Sequence, residues 1–308
     1  MNKQAGEYHS KDFEWEAVRK KVESDPKYRY HIGWHEQFDL KLREGVHGTV
    51  EDSKAWESFH RRHASGQFFK ERRYLLKEFP ELADCRNAYI LLEVGCGSGS
   101  SVIPILRGNN SIVVYACDCS AEILKKAKEN VEKSNIVNAQ NRFFTFQCDI
   151  SFSGFPLWLK PHSYAPRGEV GCQEPLSSDT GSLITASGFD FVSLIFTLSA
   201  IPFRRMPEVI KECYSTLKPG GLLLFRDYGV YDMTMLRFEP HKRVGLHEYM
   251  RDDGTRSYFF TLETARDLFL NAGFSEVELE FCCVNSVNRQ KGKSLERVWV
   301  HGKFLRPV

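Results

Sequence analysis

No stretch of this 308-residue chain sustains the ~18 consecutive apolar residues that a membrane helix needs, which excludes a helical membrane protein. Nor is there an excess of one charge: 42 Lys and Arg stand against 40 Asp and Glu, a formal net of +2. The chain as a whole is no polycation, so a nucleic-acid role would have to come from local basic patches. Cysteine is present without a framework. The nine cysteines stand at 85, 96, 117, 119, 148, 172, 213, 282 and 283, with no CxxC pair. The odd count, with several inside apolar runs, fits buried thiols in a reducing compartment, not disulfides or a structural zinc site, and no metal is expected. Residues 1–10 are polar, so no secretory leader is expected and the chain reads as cytoplasmic, with the nucleus left open. No internal repeat is present. Hydrophobic residues make up 42% of the chain, enough for a sizeable core.

What is present centres on Tyr89-Ile-Leu-Leu-Glu-Val-Gly-Cys-Gly-Ser-Gly-Ser100. An apolar run of strand length leads into three alternating glycines, and the apolar run from Ser101 to Leu106 then suits a helix. Strand, glycine turn and helix start bring backbone N–H groups close to a bound cofactor. From residue 89 onward strands and helices alternate. Strands are expected over 112–117, 143–148, 189–198 and 222–225, and helices over 121–133, 205–217 and 261–272. Ser120 suits the N-cap of the second helix, and Lys218-Pro-Gly-Gly221 is a sharp turn. Two adjacent strands near 276–284 and 296–304 close the chain as an antiparallel hairpin. Residues 151–188 hold four prolines and many Ser and Gly, and break the alternation as an insertion with a short segment around Leu157–Leu159. Alternation with apolar strands implies a parallel sheet covered by helices on both faces.

Residues 1–50 are polar and weakly periodic, and are expected to be a flexible arm with a short helix near Trp15–Val22. Residues 51–88 form a basic, aromatic helical segment. Trp56, Phe59 and His60 take the spacing of one helix face, a break follows at Ser65-Gly66, and a second helical run extends to Phe79. Seven Lys or Arg against two Glu give 54–77 a local net of +5. Basic residues interleaved with aromatics suit base stacking and phosphate neutralisation, and equally suit a docked amphipathic helix with a solvated basic face. The last stretch, 286–308, carries six Lys or Arg against Glu296, again a net of +5, and is either a solvated hairpin or a contact to a nucleic-acid backbone.

Doubly wound sheets bind ligands beyond the carboxyl ends of their strands, and the glycine turn, Asp118, Asp149-Ile150 and the end of the fourth strand, Ile195-Phe196, collect at that edge. Asp118 lies 23 positions after Gly95, near the spacing of a carboxylate that holds a ribose diol. The glycines run G-x-G-x-G, not the G-x-G-x-x-G of nicotinamide dinucleotide sites, and Glu93 stands two residues before the first. A carboxylate there would repel pyrophosphate but could help hold the cationic amino end of S-adenosylmethionine, directly or through water. Asp149 would suit the adenine amino group, with Ile150 and Ile195 as apolar walls. A nicotinamide oxidoreductase is thereby disfavoured.

Glu93-Val-Gly-Cys-Gly-Ser-Gly99, Asp118, the Lys-Pro-Gly-Gly turn and the terminal hairpin resemble a class I S-adenosylmethionine-dependent methyltransferase over residues 89–308. The implied fold is α/β and Rossmann-like, a doubly wound, mostly parallel seven-stranded sheet with an antiparallel carboxyl-terminal edge hairpin. Longer runs narrow the resemblance. Phe68-Phe-Lys-Glu-Arg72, Ala116-Cys-Asp-Cys-Ser120, Leu194-Ile-Phe-Thr-Leu-Ser-Ala200, Phe225-Arg-Asp-Tyr-Gly-Val-Tyr-Asp232 and Asp253-Gly-Thr-Arg-Ser-Tyr-Phe-Phe260 are similar to the methyltransferase-like family that makes 3-methylcytidine in tRNA. In that family the target is cytidine 32 of the anticodon loop of serine, threonine and some arginine tRNAs, and some members need a partner such as seryl-tRNA synthetase. The resemblance implies a monomer that binds tRNA and S-adenosyl-L-methionine and releases S-adenosyl-L-homocysteine. It implies cofactor contacts from Trp56, His60, Glu93, Gly95, Cys96, Gly97, Asp118, Cys119, Asp149, Ile150 and Ile195. Asp227, Tyr228, Phe68, Arg72 and Arg226 would act at the base. Phe69, Lys70, Arg73, Arg237, Arg256, Tyr258, Arg289, Lys291 and Lys293 would hold the tRNA. Phe68-Phe-Lys-Glu-Arg-Arg-Tyr74 departs from the family's usual Phe-Phe-Lys-Asp-Arg-His-Trp, which leaves the choice of tRNA and partner open. A non-catalytic adaptor on the same fold, or a methyltransferase acting on a protein or small molecule, are the alternatives.

Overall fold

The structure, a computed structural model, describes residues 11–33, 50–63, 70–159, 188–288 and 293–308. Phe68, Phe69, Arg289, Lys291 and most of the 151–188 insertion lie outside the described residues. In chain order the helices are α1 (Trp15–Ser24), α2 (Arg29–Ile32), α3 (Val50–Arg62), α4 (Leu75–Glu78), α5 (Val102–Gly108), α6 (Ala121–Lys133), α7 (Ile150–Ser153), α8 (Met206–Thr216) and α9 (Leu262–Asn271). The strands are β1 (Ile90–Val94), β2 (Val113–Asp118), β3 (Phe143–Gln147), β4 (Phe189–Ile195), β5 (Leu217–Tyr228), β6 (Arg243–Gly245), β7 (Glu248–Met250), β8 (Arg256–Tyr258), β9 (Ser275–Asn288) and β10 (Lys293–Leu305).

The main sheet has seven strands in the order β3-β2-β1-β4-β5-β10-β9, parallel from β3 to β5, with β10 antiparallel to both β5 and β9. Successive side chains on each strand serve opposite faces. Leu91, Val114, Phe191 and Leu224 pack with Val102 and Leu106 of α5 and Leu124 and Val131 of α6. Their neighbours Leu92, Tyr115, Val192 and Leu223 pack with Val209 and Ile210 of α8 and Leu268 and Phe269 of α9. The two-sided burial explains why these strands read as unbroken apolar runs. Sheet order reverses at β1, whose neighbours are β2 and β4, so the loops leaving β1 and β4 diverge and open a crevice between them. The Lys218–Gly221 turn shows in the register: Phe189 pairs with Leu217, but Phe191 already pairs with Leu222.

Two expectations need correction. The expected flexible arm is, over 11–33, a docked strap. Trp15 stacks on Phe281 at 4.5 Å and its indole nitrogen donates to the Val230 carbonyl at 3.3 Å. Val18 and Val22 are buried, and His31 Nδ1 lies 2.7 Å from the Tyr249 hydroxyl. The anchors are sparse, Trp15, Val18 and Val22 at helical spacing among charged residues, so the segment looks like a solvated arm. The second helical run is also shorter than expected: within 70–79 only Leu75–Glu78 is helical. Between β5 and α9 lies an unforeseen small antiparallel sheet, β6-β7-β8.

Candidate active site

Gly95, Gly97 and Gly99 all have positive φ, of 68°, 52° and 85°, so the β1–α5 turn needs residues free of a Cβ penalty. At Gly95 a Cβ would fall 2.5 Å from Thr197 Cγ2, whereas at Gly97 it would meet nothing within 4 Å. Asp118 ties the turn down. Its Oδ2 accepts from Gly97 N at 3.0 Å and its Oδ1 from Ser120 N at 3.1 Å, while Ser120 Oγ caps α6 by accepting from Ile123 N.

A cavity of about 270 Å³ opens at this crevice. Its walls include Trp56, His60, Gly95, Cys96, Gly97, Asp118, Cys119, Asp149, Ile150 and Ile195. Ten of the eleven residues expected at the cofactor therefore share one cavity. Glu93 does not line it. It lies beneath the loop at 1% exposure, accepting from Ser193 Oγ at 3.0 Å, and burial raises its pKa against the opposing field of Arg72. Asp149 Oδ1 accepts from Ser151 N and Oγ at the start of α7.

One face of α3 covers this cavity with Asp52, Ser53, Trp56, Phe59 and His60. The His60 ring sits 4.0 Å from Asp118, yet burial outweighs that carboxylate and lowers its pKa, so the imidazole is neutral at pH 7. Ion pairs fasten the helix at several points: Asp52 to Arg256 at 2.9 Å, Arg62 to Asp253 at 3.2 Å and Arg61 to Glu122 at 3.9 Å.

The other side of the cavity is aromatic and cationic. Arg72, Phe196, Tyr228, Arg251 and Arg256 line it. Arg72 donates to Ser101 Oγ at 2.9 Å and stands 5.2 Å over the Phe196 ring, which lies 5.1 Å from the Tyr228 ring. Phe196 has φ of 56°, a conformation costing an L-residue roughly 1–2 kcal/mol. Its N–H donates to the Arg226 carbonyl at 2.7 Å, which holds the turn after β4 in that shape.

Several expected roles do not survive this geometry. Asp227 is fully buried and outside the cavity lining. Its carboxylate accepts from the Ser199 and Tyr228 N–H groups at 2.9 Å each, so it orders two segments that do line the cavity. Burial pushes its pKa up to about 6. Arg226, 1% exposed, pairs with Glu78 and stacks on Trp299 at 4.4 Å, so it is a structural cation. Tyr258 is a core residue stacked on Phe203 at 5.0 Å. Arg256 reaches the cavity, but Asp52 and Glu248 already share its charge. The tRNA contacts expected at Lys70, Arg73 and Arg237 are not contradicted, since these side chains are exposed, though outside the cavity lining, and Lys293 opens β10. Thr197, Ser199, Asp52 and Arg251 are lining residues beyond those expected, and Phe196, expected only as a strand-end residue beside Ile195, forms part of the aromatic wall. The two arginines of the 251–256 turn were the available signal for Arg251.

Residues 60–279 match the family model described as a methyltransferase domain. The tRNA N(3)-cytidine methyltransferase METTL6 of Homo sapiens is 35% identical over 261 residues, covering 83% of this chain and 81% of that protein. The tRNA N(3)-methylcytidine methyltransferase Mettl2 of Drosophila melanogaster is 32% identical over 300 residues, covering 90% and 83%. In fold, the chain is similar to a SAM-dependent methyltransferase from Anabaena variabilis, at a TM-score of 0.54 and 14% identity over 82% of this chain and 94% of that one.

Proposed function

The chain belongs to the family of tRNA N(3)-cytidine methyltransferases, and from that membership we propose that it methylates N3 of cytidine 32 in the anticodon loop of serine, threonine or arginine tRNAs. The observation that carries this reading is the single cavity in which the glycine turn and Asp118 face the Arg72, Phe196 and Tyr228 side. The nicotinamide and adaptor alternatives fall away with family membership.

The first side fits S-adenosylmethionine. Gly97 leaves open the space a Cβ would fill, Asp118 would hold the ribose hydroxyls, Asp149 the adenine amino group, and Ile150 and Ile195 its faces. Trp56 and neutral His60 would cover it, adding no positive charge against the sulfonium. S-adenosylmethionine, when bound, supplies an electrophilic methyl group and leaves as S-adenosylhomocysteine. Cytosine N3 has a lone pair at neutral pH, so the chain need not provide a base. It must provide orientation, worth up to about 7–11 kcal/mol in favourable cases. N3 is occupied in Watson–Crick pairing, so the target base must be unpaired and splayed out. Tyr228 and Phe196 would stack on it, and their faces would favour the cationic methylated ring. Arg72 would meet the base carbonyl or a neighbouring phosphate. Asp227 acts behind them by fixing the Ser199 and Tyr228 backbone.

The same proposal takes Arg289, Lys291 and Lys293 as tRNA backbone contacts, so their joint replacement by Ala flattens the salt dependence of tRNA binding. A monomer acting in the cytoplasm or nucleus, with seryl-tRNA synthetase or another accessory protein for some tRNAs, completes it. Single-turnover methylation of an anticodon stem-loop tests the reading. A substrate with cytidine 32 should accept one methyl group and the same loop with uridine 32 none; equal labelling of both would overturn it.

A further inference from the structure

One arginine of β10 touches a residue that lines the cavity, Tyr228. Arg297 and Trp299 are two residues apart on β10 and so share a face, and Trp299 pairs directly with Tyr228 of β5. The Arg297 guanidinium lies 5.7 Å from the Tyr228 ring centroid and 5.3 Å from that of Trp299. Its Nε donates to Asp232 Oδ2 at 2.8 Å. Asp232 is fully buried and cannot follow a moving side chain: its Oδ2 also accepts from Val298 N at 2.9 Å, and its Oδ1 from Thr234 N at 2.8 Å. Tyr228 meets Phe196 at 5.1 Å and Phe259 at 5.7 Å, and its carbonyl accepts from Phe260 N at 2.8 Å. We infer that Arg297, clamped by Asp232, is a positioning residue that sets the plane of the Tyr228 ring at the cavity wall, where the methyl-accepting base stacks.

An apolar residue could fill the same space without the desolvation cost of a buried ion pair. What the guanidinium adds is a rigid plane, fixed at Nε and held beside the phenol ring, and lysine cannot reproduce it. Burial alone would lower the Arg297 pKa, but Asp232 first and Tyr228 after it raise it, so the cation persists beside the ring. The inference rests on the proposed function, because it takes Tyr228 as the platform for the base.

The test uses the full chain, saturating S-adenosylmethionine and substrate tRNA, with the wild-type rate measured first. Arg297→Met should lower kcat by about tenfold, with S-adenosylmethionine affinity within about twofold of wild type. Arg297→Lys retains an ion pair for Asp232 and should unfold at the wild-type midpoint, yet remain slow. Arg297→Met combined with Tyr228→Ala should be no slower than Tyr228→Ala alone. Full activity in Arg297→Lys, additive losses in the double variant, or an equal loss of cofactor affinity would overturn the positioning role alone. No tRNA methylation by the wild type would overturn it together with the proposed function.

Discussion

Two glycines of one turn should fail in different ways when each is changed to alanine. Both sit in the left-handed region, with φ of 68° at Gly95 and 52° at Gly97, so each alanine carries about 1–2 kcal/mol of backbone strain. At Gly97 there is nothing more to add, because the new methyl meets no atom within 4 Å and the residue lines the cavity. At Gly95 the methyl would lie 2.5 Å from Thr197 Cγ2 and 2.7 Å from its Oγ1. Thr197 is β-branched and its hydroxyl donates to the Val94 carbonyl at 2.9 Å, so it cannot swing aside freely. Overpacking of that kind adds roughly 1–3 kcal/mol. Urea unfolding should therefore place Gly97→Ala about 1–2 kcal/mol below wild type and Gly95→Ala roughly 2–5 kcal/mol below. Thr197→Ser should restore part of the Gly95→Ala loss by removing Cγ2. Calorimetry should show the reverse order for function per folded molecule, with S-adenosylmethionine affinity lost at least tenfold in Gly97→Ala. Wild-type affinity in Gly97→Ala, or a wild-type urea midpoint in Gly95→Ala, would refute this account of the turn.

Asp227→Asn should sharply reduce single-turnover methylation while S-adenosylmethionine binding stays near wild type; an unchanged rate would remove Asp227 from the ordering of Ser199 and Tyr228. Because burial raises the Asp227 pKa from 3.8 to about 6, its contribution to stability is fully present below pH 4 and lost as pH rises through 6. The wild-type-minus-Asn difference should slope across that window and flatten above it. Glu78→Gln leaves Arg226, 1% exposed, without its carboxylate and should cost about 3–5 kcal/mol in urea unfolding; a loss below 1 kcal/mol would contradict the buried pair. His301 is burdened by burial, but hydrogen bonds to Glu78 and Glu278 outweigh it and raise its pKa above 6.5. Its stabilisation is complete below pH 6.5 and fades as pH rises through the raised value, a fade that should vanish in His301→Asn.

The sheet, the glycine turn and the residues gathered around it in the cavity were legible because their signals are local. Gly95, Asp118, Asp149 and Ile195 stand at strand ends, and topology alone brings strand ends together. Legibility ended where a side chain's role depends on a distant partner. Asp227 and Arg226 are adjacent polar residues after apolar strand positions, and sequence cannot show that Glu78 takes one and the Ser199 backbone the other. Arg256 likewise looks like a free cation until Asp52 and Glu248, 204 and 8 residues away, are found on it. The place of Phe196 at the end of β4 was legible, but its left-handed backbone, held by the bond from its N–H to the Arg226 carbonyl, was not, because phenylalanine gives no hint of it. The strap at 11–33 was misread because three apolar anchors in a charged segment carry little periodic signal.

The central claim is that this cavity brings a cofactor methyl group to cytosine N3 in tRNA. Nucleoside mass spectrometry of total tRNA, incubated with the protein and methyl-labelled S-adenosylmethionine, tests it most directly. Label should appear in 3-methylcytidine and be lost in Gly97→Ala. Label in any other nucleoside, or 3-methylcytidine undiminished in Gly97→Ala, would contradict it.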